Sequence, residues 1–430
     1  MSSSSSSERE CFQVSGPREA VLTAEHAEAL MRPLMDEKNV SRFRKIKLSD
    51  KSFNVEAAKV AATAIERLQG LEVADFSDVI ASRPEEEAKK VLEILCNSLR
   101  PHSLLELNLS DNALGRRGVA ACAGALQGQT RLQKLYFNNN GLEGDAATLI
   151  AELVLNNNRP STLTSFSIRN NLLQDAGANA LAPMLAASPS MTELRVASTR
   201  FTRVGGLALA KALLNLQNLV SLDLSDNGLG KRAGVELAKV LKQQSNLRFL
   251  NLSAIGIDES IAHVASALSH NALLETLDLS DNEMTAADAK QLAKSLPHLP
   301  HLKVLLLESN AIKSAGACAV ATALRAHKSL TELNLIRNEI KTDAVSELIE
   351  AAKDLSLTRL HLNGNMIKVE ELNQLRGSFA EEVLGSLSDN EEEYDDYEEE
   401  EEEEEEEADE DESVNQLAAD LRKQASISKE

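Results

Sequence analysis

The chain has no tryptophan, nine prolines and only 3% aromatic residues in 430, which excludes a core organised around large rings. Its four cysteines (Cys11, Cys96, Cys122, Cys318) show no C-x-x-C spacing. They are too few and too scattered for a disulfide framework or a zinc site, and predict free thiols in a reducing compartment. No apolar run approaches the roughly 20 residues that a membrane-spanning helix needs. The N-terminal run Ser2 to Ser7 lacks the apolar core of a signal peptide. A soluble, intracellular protein is expected, and no membrane span. The histidines are scattered; His298 and His301, in a Leu-Pro-His-Leu-Pro-His stretch, are expected to be loop residues, and no metal site is expected. Nucleotide and catalytic signatures are also missing: Gly228-Leu229-Gly230-Lys231-Arg232 fails the phosphate-loop pattern in spacing and hydroxyl. There is no H-E-x-x-H, no G-x-S-x-G and no dinucleotide fingerprint. No basic stripe carries aromatics between its cations, so nucleic acid is not an expected partner. Such a chain is not expected to run chemistry alone.

What it has instead is leucine in a fixed pattern, L-x-x-L-x-L-x-x-N-x-L, recurring about every 28 residues. Clear copies are Leu104, Leu107, Leu109, Asn112, Leu114 and Leu132, Leu135, Phe137, Asn140, Leu142. Degenerate copies included, twelve are found, with the asparagine slot at 51, 76, 112, 140, 171, 199, 227, 255, 282, 310, 338 and 365. Such a period means one supersecondary unit stacked on its neighbours, and a long binding surface in place of an enclosed pocket. Leu-x-Leu alternation makes a short strand with every second side chain inward. The asparagine can satisfy backbone groups of neighbouring turns where water cannot reach. Alanine- and leucine-rich stretches such as Leu207 to Leu214 and Ala287 to Leu296 have helical spacing. The long period favours one strand and one full helix per copy. That is an α/β leucine-rich repeat horseshoe similar to the ribonuclease-inhibitor type, with a parallel sheet inside and helices outside. Four slots depart from asparagine: Lys51, Phe76, Thr199 and Ile255.

The formal charge of −22 must be located before it means anything. Residues 389–412 hold twenty acidic and no basic residues, so −22 + 20 leaves −2 for the rest. The expected division is a partly disordered N-terminal segment over 1–40, a repeat domain of about 12 copies over 41–380, an acidic disordered tail over 381–412, and a C-terminal segment over 413–430. Leu417 and Leu421 give the last segment the spacing of a short helix. The tail solubilises, or it attracts a basic partner with a strength that fades with salt.

Two places disturb the period. Between the slots at 76 and 112 the spacing is 36 residues, and the extra length falls in Phe76-Ser77-Asp78-Val79-Ile80-Ala81-Ser82-Arg83-Pro84. Pro84 biases Arg83 toward an extended backbone, which is expected to present this arginine at the rim. In Leu135-Tyr136-Phe137-Asn138-Asn139-Asn140-Gly141-Leu142, Asn140 fills the slot and leaves Asn138 and Asn139 on the strand-to-helix edge. Taken singly, a loop arginine and a rim asparagine have ordinary uses, in solvation and helix capping.

In this order, with the Leu109 to Gly115 stretch and the acidic tail, these segments resemble the Ran GTPase-activating protein family over about residues 40–412. Asp75 to Ala88 and the region before the first repeat look like the plant and algal branch. Without tryptophan and with a short N-terminal segment, the chain departs from that branch's tryptophan-proline-proline domain. The resemblance implies an activator, not itself an enzyme, that stimulates GTP hydrolysis on GTP-bound Ran, with Ran-binding protein in a ternary complex. The chain would need no cofactor of its own, since GTP and magnesium sit on the GTPase. By likeness, Asn139 would hold the GTPase's catalytic glutamine. Arg83 would serve the interface, order its loop or act as a finger; the family's mechanism favours the first two. Rim residues Asn138, Asp78, Asp111, Asp226, Asp281 and Glu308 are expected partner contacts. A monomer is expected, cytoplasmic or beside the nuclear envelope, keeping cytoplasmic Ran in its GDP form for nucleocytoplasmic transport. The alternative is a non-catalytic interaction protein, similar to the acidic leucine-rich nuclear phosphoproteins, whose arrays are far shorter. A ribonuclease-inhibitor role fits less well, because that family is cysteine-rich.

Overall fold

Each Leu-x-Leu alternation forms a three-residue strand whose middle residue points inward, as Leu107 does in Glu106–Asn108 and Leu222 in Ser221–Asp223. The computed structural model describes residues 11–390 except 15, 158, 159, 258, 259, 326 and 354. Within them thirteen such strands pair side by side, all parallel, in chain order from Cys11–Gln13 to Arg359–His361. Helices such as Arg203–Leu213 and Gly230–Leu241 pack against their neighbours outside the sheet. The leucine-rich repeat solenoid read from the sequence is the observed fold. Its core is one continuous cluster of leucine, alanine and isoleucine running through every repeat. Leucine and alanine fill it well because successive copies repeat the same volumes. Among the described residues, no helix is long and apolar enough to cross a membrane.

The slot asparagines bind one repeat to the next. Asn112 Oδ1 accepts the Val79 N–H at 2.9 Å, and its Nδ2 donates to the carbonyls of Phe76, Leu109 and Ser110 at 2.8, 3.1 and 3.0 Å. Asn140 accepts from Asn112 N, and Asn171 from Asn140 N. Towards the far end Asn310, Asn365 and Asn390 repeat the contact. The amide is needed because buried backbone groups must find partners and only a side chain with both donor and acceptor serves two turns at once.

The boundaries and register differ from the sequence expectation in four places. The repeats begin inside the expected N-terminal segment. Cys11–Gln13 pairs with Lys45–Lys47, and helix Ala24–Met35 buries Ala27, Met31 and Leu34. That copy spells its strand with Phe12 and carries Pro17 where asparagine would stand, so the leucine pattern does not reveal it. The sheet therefore has thirteen strands where twelve copies were counted. The slot assigned to Phe76 belongs to Val79, whose N–H meets Asn112; Phe76 is a fully buried core residue whose N–H meets the Asn108 carbonyl, as Leu109 meets that of Tyr136. The extra residues thus lie after Val79, in Ile80 to Pro84 and at the far end of helix Glu85–Asn97. Finally, residues 381–390, assigned to the tail, close the solenoid. Helix Glu381–Leu384 buries Leu384 and is followed by buried Leu387 and Asn390, and Asn390 caps Asn365. Residues 391–412 and the expected helix around Leu417 and Leu421 lie outside the described residues.

Lys51, which fills a slot, is fully buried; its ammonium donates to the Pro17 carbonyl and lies 3.1 Å from Glu19 Oε1. It supplies for the first repeat the donor half of what the asparagines do elsewhere. Lys51→Met keeps the volume and removes the charged donor, and should loosen the first repeat by about 2–3 kcal/mol. Hydrogen exchange checks this. Protection should drop in residues 16–35 and stay unchanged in residues 221–253, and an unchanged N-terminal pattern would refute the role given to Lys51.

Candidate functional site

The edge where strands pass into helices has one conformation in every repeat. The residue before the slot has positive φ: 64° at Asp50, 52° at Asp78, 63° at Asp111, 53° at Asn139, 54° at Asn170, 54° at Asp226 and 54° at Asp281. In this twist its N–H reaches a carbonyl of the next repeat, as Asn139 N reaches Arg169 O at 2.9 Å. Asparagine and aspartate tolerate left-handed backbone better than other non-glycine residues. The recurrence of Asp78, Asp111, Asn139, Asp226 and Asp281 therefore has a backbone cause before any partner is considered. Glu308 lies one residue earlier in its repeat, with its carboxylate accepting from Asn334 Nδ2 at 3.0 Å. What separates the members of the row is what their side chains do.

Asn139 is exposed, and both ends of its amide are held. Its Nδ2 donates to Asp111 Oδ1 at 2.9 Å, and its Oδ1 accepts from Asn170 Nδ2 at 2.9 Å. Three consecutive repeats are thus joined by side chains along the rim. Asn138, expected free, is not: its Oδ1 accepts from Ser167 Oγ at 2.6 Å and from Arg169 N at 3.0 Å, and its N–H donates to Ser110 Oγ. Its side-chain oxygen and main-chain N–H are committed to stitching neighbouring repeats. A hollow of about 640 Å³ opens over Asn138, Asn139, Asn170, Arg169, Ser110 and Asp111. Asn170 and Arg169 escaped the sequence reading; the Arg169-Asn170-Asn171 run repeats the asparagine cue of the preceding copy and would have found them.

Arg83 is not presented outward. Its side chain is only 15% exposed. Its Nε donates to Ser52 Oγ at 3.1 Å, while Nη1 lies 3.9 Å from Glu87 in the first turn of the following helix. Ser52 Oγ in turn donates to the Ala81 carbonyl at 2.5 Å. The lengthened loop is folded back onto the preceding repeat, with Ser82 at φ 61° making the bend. The expected presentation at the rim is not what is found: the direction of the side chain is set by Ser52, 31 residues earlier. Asp78 is occupied by Arg18 at 2.7 Å; burial pushes its carboxyl up, opposed by that arginine. Arg83, Asp78, Arg18, Arg116 and Arg117 line a second hollow of about 670 Å³. Asp111 borders both hollows, so the arginine loop and the asparagine rim are neighbours.

Asp226 and Asp281 are exposed, and among the described residues no cation pairs with either. No cluster of three or more His, Cys, Asp or Glu suited to a metal occurs among the described residues. Cys96 and Cys122 are buried free thiols in hydrogen-bond contact, and that contact with burial raises the Cys96 thiol well above its usual value.

Comparison with known proteins finds similarity in the repeats. The leucine-rich repeat family model matches residues 100–121, 215–238 and 270–293. RAN GTPase-activating protein 1 of Arabidopsis thaliana is 41% identical over 127 residues, covering 29% of this chain and 23% of that protein. RAN GTPase-activating protein 2 of the same plant is 40% identical over 126 residues, with the same coverage of 29% and 23%. Ran GTPase-activating protein 1 of Xenopus laevis is 28% identical over 185 residues, covering 40% of this chain and 31% of that protein. The chain spans about a quarter of the length of the plant relatives it matches. These relatives carry the name of the family that the sequence motifs resemble, and the two plant proteins match at higher identity than the Xenopus one.

Proposed function

We propose that this chain stimulates GTP hydrolysis on Ran, and that the Asn139 amide fixes the GTPase's own water-orienting glutamine in its productive rotamer. The observation that carries the reading is the Asp111–Asn139–Asn170 chain. Phosphoryl transfer is accelerated mainly by positioning and by stabilising charge, with little covalent work for a protein to do. An exposed amide held at both ends by neighbouring repeats is already oriented, so docking costs it little side-chain freedom. An amide also suits another amide, since each can donate and accept. GTP and magnesium would come with Ran, and this chain would act as an activator, not as an enzyme. Asp226, Asp281 and Glu308 would meet basic groups of the GTPase, whereas Asp78 and Asn138, already engaged, would contribute through the shape of the rim. A cytoplasmic or perinuclear location would keep Ran there in its GDP form. Monomeric action and a ternary complex with Ran-binding protein fit an open rim that buries only part of a partner.

Arg83 orders the loop in this reading. Its Nε is committed to Ser52, so reaching into a partner would first break that bond. Arg83→Ala and Ser52→Ala should therefore lower kcat/KM for Ran-bound GTP by similar factors, within about threefold of each other, because either removes the same tie. Single-turnover phosphate release measures both. A finger would give a different outcome: a loss of about 10³-fold for Arg83→Ala with Ser52→Ala close to wild type.

A further inference from the structure

The inner face of the sheet changes character four strands beyond Asn139. Along one cross-strand row the residues run Glu106, Lys134, Ser165, Glu193 and Ser221, then Phe249, Thr276 and Val304, before returning to Glu332. In the neighbouring row Leu306 stands beside Asp278. Phe249, Val304 and Leu306 alternate with Leu250 and Leu305, which are fully buried, so these three face the concave side, where each is half-buried.

The edges of this strip differ in charge. On the side where the strands begin, Arg248 and Lys303 share Glu275 at 2.5 and 2.6 Å, which leaves one net positive charge there. On the side where they end stand Asp223, Asp226, Asp278, Asp281 and Glu308. Among the described residues Asp223 alone of these has a cation, Arg195 at 3.3 Å. Burial pushes the Asp278 carboxyl up, and Asp223 and Asp281 push it the same way. Acidic groups outnumber cations along this edge, with Arg195 against Asp223 and Arg200 bordering the hollow of Asp226 and Asp281 on one side, and Arg337, two repeats beyond Asp281, on the other.

We infer that this strip docks a protein segment carrying leucine-like side chains next to lysine or arginine, the apolar groups over Phe249, Val304 and Leu306 and the cations against Asp278 and Asp281. Charge complementarity selects the occupant: the carboxylates repel the phosphates of nucleic acid and of anionic lipid surfaces. The strip lies about 19 Å from the Asn139 strand at ~4.8 Å per strand. The inference shares Asp281 with the activator reading, while Phe249, Val304 and Leu306 belong to the strip alone, so a change at these apolar residues tells the failure of one reading from the failure of the other.

The test uses the full chain and two fluorescein-labelled nine-residue peptides, one alternating lysine and leucine and one alternating lysine and serine, followed by anisotropy. The lysine-serine peptide reports attraction to acidic groups anywhere on the protein. The lysine-leucine peptide should bind about tenfold tighter. That difference should vanish in Phe249→Ser/Leu306→Ser, and overall affinity should drop about threefold or more in Asp281→Asn, an exposed change that leaves the core intact. Equal binding of the two peptides, or a preference that survives in Phe249→Ser/Leu306→Ser, would overturn the proposal. Unchanged phosphate release from Ran by Phe249→Ser/Leu306→Ser, at residues the activator reading does not use, would show that this reading is unaffected.

Discussion

Asn139→Gly should reduce stimulated GTP hydrolysis by about 10²-fold, the scale for removing one pre-oriented polar group from a reacting site, while leaving the protein as stable as wild type. Glycine is the informative choice. Asn139 sits at φ 53°, where alanine would add about 1–2 kcal/mol of left-handed backbone strain and confuse loss of fold with loss of function. Glycine adopts the same twist without strain. It deletes only the amide and its two rim bonds to Asp111 and Asn170, which are exposed and contribute little to stability. Thermal unfolding and single-turnover phosphate release, run on the same preparation, separate the two effects. Full stimulation by Asn139→Gly would remove the glutamine-holding role while leaving the repeat fold untouched.

Asn227→Leu should have the opposite profile, a large loss of stability with the rim unaltered where the fold survives. Asn227 Oδ1 accepts from Thr199 N, Thr199 Oγ1 and Phe201 N, and its Nδ2 donates to the carbonyls of Val196, Leu224 and Ser225. Leucine fills the space and satisfies none of them. An orphaned buried backbone group costs about 1–3 kcal/mol; several together should cost roughly 4–5 kcal/mol or more after local relaxation. Because each repeat leans only on its neighbours, the damage should be local. Urea unfolding should become broader or split, with the repeats on either side of Asn227 melting first. Thr199→Ala, which removes one of those bonds, should cost about 1 kcal/mol. A loss below that for Asn227→Leu would mean that water or a shifted backbone replaces the ladder.

Much of this was legible in the chain because period and burial share one cause. Leu107, Leu109 and Asn112 recur at fixed offsets since each copy must fill the same volume and satisfy the same carbonyls. Legibility failed where a copy met that need with other residues. Phe12 and Pro17 build the first repeat without its leucines, and Lys51 donates where asparagine would. Val79 and Phe76 are both apolar, so the pattern could not tell the slot from the core position, and only the hydrogen bond to Asn112 did. Leu384, Leu387 and Asn390 form a shortened last copy that the neighbouring acid run obscured. At the site, the prominence of Asn139 and Arg83 was readable from disturbed spacing. The partners that define them, Asp111, Asn170 and Ser52, were not, because they lie about one repeat away in sequence and adjacent only once the solenoid is wound. The rim aspartates were conspicuous for a reason their recurrence did not disclose: left-handed backbone selects them whether or not a partner does.

The proposed role of this chain is to complete Ran's active site by acting on the GTPase's glutamine. Its most direct test is single-turnover phosphate release from GTP-loaded Ran, once with the glutamine present and once with it replaced by leucine. Acceleration of about 10³-fold or more for the first, and none for the second, is the expected result. Equal acceleration of both would contradict the mechanism, and no acceleration of either by folded protein would contradict the function.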